Sequence, residues 1–93
     1  MLKIANSSLL YYRSLGIDEQ KVVYRDGTGL RDEKTFAYGD VSAVLLSAQN
    51  VLSIQISYQI FKIEIQPNNP DHQHFMTMLA RWCRQSLPPL TVS

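Results

Sequence analysis

Residues 51–83 read VLSIQISYQIFKIEIQPNNPDHQHFMTMLARWC, and the spacing of the apolar side chains changes once along them. Leu52, Ile54 and Ile56, then Phe61, Ile63 and Ile65, alternate with polar neighbours. After Asn69-Pro70-Asp71 the apolar residues fall at Phe75, Met78, Leu79, Trp82 and Cys83. Period two belongs to a strand pair with one buried face, and the later spacing to an amphipathic helix. The stretch therefore predicts a hairpin followed by a closing helix. It specifies an architecture and no activity.

The hairpin carries its own register expectation. With Tyr58-Gln59 at the tip, Ile56 faces Phe61, Ile54 faces Ile63 and Leu52 faces Ile65. Gln55 then faces Lys62 and Ser53 faces Glu64, so one face is apolar and the other polar. Cross-strand pairs of this kind contribute roughly 0.2–1 kcal/mol each. A slip of one residue would turn the apolar set to water. Tyr-Gln suits a type I′ turn poorly, which leaves a longer tip open.

The helix is punctuated at both ends. Asn69 is a good N-cap, Pro70 fits the first helical position, and Asp71 suits the first turn. Arg81 and Arg84 lie toward the C-terminus, and Pro88-Pro89 sets its end. Phe75, Leu79 and Trp82 should each contribute about 1.5–3 kcal/mol by burial. The two histidines, His72 and His74, point about 200° apart on a helix. They cannot easily share one ion and are expected as exposed first-turn residues.

Working back toward the N-terminus, residues 41–47 predict a strand with Val44 and Leu46 on one face. Residues 35–38 predict another, broken by Gly39-Asp40. Residues 21–25 predict a third, followed by a turn at 26–29 and an extended step into Asp32-Glu33. Residues 8–17 place Leu9, Tyr11, Arg13, Leu15 and Ile17 on one period-two face. The same residues allow a short helix capped at Ser7 or Ser8 and ended by Gly16. Adjacent tyrosines and few strong helix formers favour the strand. The total is six or seven short strands and one helix. That is a mainly β chain: a curved antiparallel sheet or partly open barrel, capped by the C-terminal helix.

Ninety-three residues make one domain, taken as 1–87, with 88–93 as an exiting tail. Apolar content of 45% against 18% charge fits a globular chain. Nine Lys/Arg against eight Asp/Glu leave a net charge of +1, which gives no general pull toward nucleic acid or an anionic membrane. The single cysteine, Cys83, cannot form an internal disulfide and fits a reducing, cytoplasmic setting. No apolar run approaches the roughly 18–20 residues that span a bilayer, and the first residues do not resemble a signal peptide.

Gly29-Leu30, then Phe36-Ala37-Tyr38-Gly39-Asp40-Val41-Ser42-Ala43-Val44, the strand pair from Leu52 to Ile65 and the terminal helix together resemble a bacterial pleckstrin-homology-like (PH-like) domain. The similarity spans about residues 21–87. It implies a β core capped by the helix, and a module that binds protein or oligomerises, often within a larger or membrane-associated protein. It does not carry a lipid site across. Phosphoinositide-binding members use a loop with clustered Lys/Arg, whereas the loops at 18–20 and 26–29 are acidic or neutral here.

No enzyme signature emerges. Asp26-Gly27-Thr28-Gly29 lacks the Gly-Lys-Ser/Thr ending of a phosphate loop. The carboxylates sit in predicted turns, where burial cannot separate their pKa values. Cys83, beside Trp82 and Leu79, reads as a small apolar residue. The expectation is a non-enzymatic interaction module without a cofactor, whose partner is another protein or a second copy. Anionic lipid head groups are the alternative ligand. The candidate interface is Leu10, Tyr11, Tyr12 and Arg13, a segment with no Pro, no Gly and one charge, taken as an exposed strand edge.

Overall fold

The computed structural model describes residues 1–7, 12–27, 33–85 and 87–90. Among these residues seven strands precede one helix: β1 (Leu2–Ser7), β2 (Tyr12–Ile17), β3 (Lys21–Asp26), β4 (Glu33–Ala37), β5 (Val41–Leu46), β6 (Val51–Ile56), β7 (Gln59–Glu64) and α1 (Pro70–Cys83). Each strand pairs antiparallel with its neighbour in sequence. The ladders form two sheets, β1-β2-β3-β4 and β5-β6-β7, which do not close into a barrel. A 3-10 turn, Tyr38–Asp40, carries the chain from one to the other. The mainly β class with a C-terminal helix is therefore as expected.

The core is filled from three sides. The first sheet contributes Ile4, Leu15, Ile17, Val22 and Tyr24. The second contributes Val44, Leu52, Ile54, Ile56 and Ile63, and Ile65 follows just beyond it. Phe75, Met76 and Leu79 of α1 plug the space between. Along each strand these residues recur at every second position, as one buried sheet face requires. Tyr24, Phe36 and Phe61 bring the sheets together elsewhere, with ring centroids 4.6 and 5.3 Å apart in tilted pairs.

Several expectations change. β1 was not anticipated, yet Leu2 and Ile4 alternate with polar or small residues and Ile4 is in the core. The hairpin turns at Ser57-Tyr58, so Ile54 faces Phe61 and Leu52 faces Ile63. Ser57 adopts φ 55°, which permits the tight turn one residue earlier than expected. The helix ends at Cys83, ahead of the prolines, because Arg84 takes a left-handed conformation. The N–H groups of Arg84 and Gln85 then cap the Ala80 carbonyl. Trp82 is only half-buried, so it lies at the margin of the core that Phe75 and Leu79 fill. Leu87 and Leu90 pack back against the core, which keeps residues 88–90 on the domain.

Candidate functional site: a closed corner and an open one

Two sheets that meet without closing leave two corners. At one, β1 and β2 approach β7. Antiparallel ladders alternate which residues bond to which neighbour. The bond from the Ile65 N–H to the Asn50 carbonyl fixes that alternation, and it turns the N–H and C=O of Ile60, Lys62 and Glu64 away from β6. The Asn6 side chain meets this edge. Its Nδ2 donates to the Glu64 carbonyl at 3.2 Å, and the Glu64 N–H donates to its Oδ1 at 2.8 Å. The primary amide thus acts as a peptide group borrowed from β1. Arg13 Nη1 donates to the Lys62 carbonyl at 3.3 Å, while its Nη2 lies 3.7 Å from Asp26 Oδ2.

At the other corner, between β4 and β5, no such stitching joins the edges among the described residues. The bond from the Ser47 N–H to the Val51 carbonyl sets the alternation on β5. It turns the N–H and C=O of Val44 and Leu46 outward. The strand reads Val-Ser-Ala-Val-Leu-Leu, with neither charge nor proline. Its one irregularity is a bulge between Val41 and Ala43, where Ser42 Oγ donates to the Gln55 carbonyl at 3.0 Å. Leu45 stands 64% exposed on the outer face. Across the same sheet are exposed Ile60 on β7 and fully exposed Tyr58 at the hairpin tip. By contrast, β4 begins with Glu33 and Lys34.

The corner is held by a hydroxyl. Tyr38 OH donates to the Asp18 carbonyl at 2.6 Å, and burial pushes the phenol well above its ordinary range. Asp18 itself shapes the β2–β3 turn. Its Oδ1 accepts from the Gln20 and Lys21 N–H groups at 2.8 and 2.9 Å, and these bonds, the first above all, hold its carboxyl below the usual value.

The sequence-predicted interface lies elsewhere. Tyr12 and Arg13 belong to β2, which is paired with β1 on one side and β3 on the other. Their backbone therefore offers no edge, and this part of the expectation is corrected; Leu10 and Tyr11 lie outside the described residues. The Tyr12 ring carries Lys3 Nζ 5.8 Å from its centre. β5 was the edge that the sequence reasoning missed. Its sign was the lack of charge and proline over six residues.

The groups suspected of chemistry are also placed. His72 is buried rather than exposed, and its Nδ1 accepts the Gln66 N–H at 3.0 Å. Burial lowers its pKa, with Asp71 opposing. That bond leaves the ring proton on Nε2 in the neutral form. His74 is exposed. Burial raises the Cys83 thiol pKa, away from the thiolate a nucleophile needs. Among the described residues no three His, Cys, Asp or Glu side chains gather as a metal set, and no helix is long and apolar enough to cross a membrane.

No protein-family model matches this chain, and neither a curated protein nor a solved structure is significantly similar to it.

Proposed function

We propose that this chain is a non-enzymatic, PH-like interaction module that engages another protein, or a second copy of itself, by strand addition at β5. The observation that carries this is the uncharged β5 edge beside an exposed leucine. Outward N–H and C=O groups are a template for another strand, and edges not meant for pairing are commonly blunted by charge or proline. The four-strand and three-strand meanders followed by a closing helix support the PH-like reading, because that resemblance implies a β core capped in this way.

Size-exclusion chromatography with light scattering tests it, with Leu45→Lys as the variant. The wild type should associate as concentration rises, or capture an extended peptide along β5. Leu45→Lys should be monomeric with unchanged Trp82 fluorescence. Slow amide exchange at Val44 and Leu46 in a wild-type monomer would sink the idea, since those N–H groups would already be bonded within the fold.

A further inference from the structure

The outer face of the four-stranded sheet holds a feature unconnected with β5. In β3, Lys21 and Arg25 point to the same side, four residues apart. The ladder sets Gly16 between Lys3 and Val23, and Ser14 beside Arg25. Lys3, Lys21 and Arg25 thus rise from two strands around a floor made by Ser14 and Gly16 of the strand between. Together they line a concavity of about 230 Å³.

The floor is low because its residues are small. Ser14 is 3% exposed although it faces outward. Gly16 has no side chain, and a Cβ there would stand 2.7 Å from the Met1 sulfur that lies across it. Longer side chains on both flanks therefore form walls. Three of the nine Lys/Arg of the chain stand on those walls, against one lining carboxylate, Glu33. Glu33 lies 3.6 Å from Arg25 Nη2. It leaves the Arg25 Nε–H buried and without a hydrogen-bond partner among the described residues. Among the described residues Lys21 has a marginal ion pair, 4.0 Å to Asp18. A chain of net charge +1 has here concentrated positive charge around a recess with a hydroxyl at its base.

We infer that this concavity binds a phosphomonoester group. A compact dianion would accept from Lys21 and Arg25, and from Lys3 and the Ser14 hydroxyl in exchange for the contacts both make with the Tyr12 phenol. Charge-assisted hydrogen bonds of this type are the strong ones, and a recess shields them from screening better than open surface does. The phosphate could be carried by a soluble metabolite or by a lipid head group, and the same side chains would serve both. The site is independent of strand addition at β5, which lies on the other sheet.

The experiment is an amide-resolved NMR titration of the full chain with inorganic phosphate and with glycerol 3-phosphate. Alongside it, the chain is co-sedimented with phosphatidylcholine vesicles with and without phosphatidic acid. Saturable shifts are expected at Ser14, Gly16 and Val23. Lys3→Gln and Lys21→Gln should each weaken binding about tenfold. Arg81→Gln, on the helix, should leave it unchanged. Glu33→Gln should tighten binding, because it removes the one lining carboxylate and frees Arg25. A purely structural ion pair would give no such gain. Saturation by glycerol 3-phosphate without sedimentation identifies a soluble ligand. Sedimentation that needs phosphatidic acid and is lost in Lys21→Gln identifies a membrane-borne one. Either supports the site. No shifts on the sheet, equal weakening in Arg81→Gln, or no gain in Glu33→Gln overturns it.

Discussion

The two corners of this molecule face the same problem and solve it differently. Both are places where a sheet ends with unpaired backbone. At the β1/β7 corner one asparagine and one arginine bond both backbone groups of Glu64 and the Lys62 carbonyl, so that stretch of the β7 edge is used inside the fold. At the β4/β5 corner no side chain among the described residues bonds to the outward groups of β5, and the strand carries no charge. Burial cannot explain the difference, since both sheets send side chains into one core. What differs is whether a side chain from the opposite sheet can reach the edge. An edge is thus made inert or available by very few residues, without altering the core.

The largest effect on either corner should come from beneath them. Phe75 is 1% exposed within the plug that α1 makes between the sheets. Phe75→Ala should cost about 3–5 kcal/mol, read as a fall in the urea midpoint. Trp82→Ala should cost clearly less, because Trp82 is half-buried. Equal losses would mean that the indole is as enclosed as Phe75, and that the core extends further toward the open corner.

Next comes the closed corner itself. Asn6→Ala removes two hydrogen bonds from the Glu64 edge and should cost about 1–3 kcal/mol. Ser42→Ala at the open corner removes one exposed bond and should cost about 1 kcal/mol or less. A reversed order would mean that the bulge of β5, and not the asparagine bridge, holds the sheets in place.

A pH effect belongs to the closed side, where His72 fixes the connection from β7 to α1. Its native pKa lies below the ordinary 6.5 because of burial. As pH falls through about 6.5 the unfolded chain takes up the proton first, so unfolding gains. The stability due to neutral His72 is full above that value, declines below it, and levels off once the native state is protonated. Urea midpoints between neutral and acid pH should show the decline, and His72→Gln should remove most of it. An unchanged decline in the variant would assign the acid sensitivity to the carboxylates.

The smallest effect on stability, and the sharpest on behaviour, is expected from Leu45→Lys. The side chain is already exposed, so the midpoint should move by less than about 0.5 kcal/mol while association is lost. A large loss of stability would place Leu45 in the fold's own packing.

Which features were legible follows from how local they are. The faces of the hairpin could be read because alternation fixes parity. Its register could not, because a shift of two residues keeps every apolar side chain on the same face. The left-handed Ser57 makes the observed turn, and serine does not announce that conformation as glycine would. The helix start was marked by Asn69-Pro70, whereas Arg84 ends it in a conformation usually given to glycine. His72 could not be recognised as buried, since its partner is a backbone group of Gln66. The basic concavity was half visible in Lys21 and Arg25. Lys3 joins them only through the pairing of β1, a strand that went unread.

The asparagine bridge also bears on the order in which the chain folds. Every ladder joins strands adjacent in sequence, so each hairpin can form over a short loop. Asn6 and Glu64 are separated by 58 positions. Closing a flexible loop of that length costs roughly 3–4 kcal/mol of chain entropy before any contact offsets it. The two meanders can therefore be assembled early, and their docking is the step that must overcome the long-range cost. If docking limits the rate and the bridge is already formed at the barrier, Asn6→Ala should slow refolding in stopped-flow experiments. If the bridge forms only afterwards, the same variant should leave refolding alone and hasten unfolding instead.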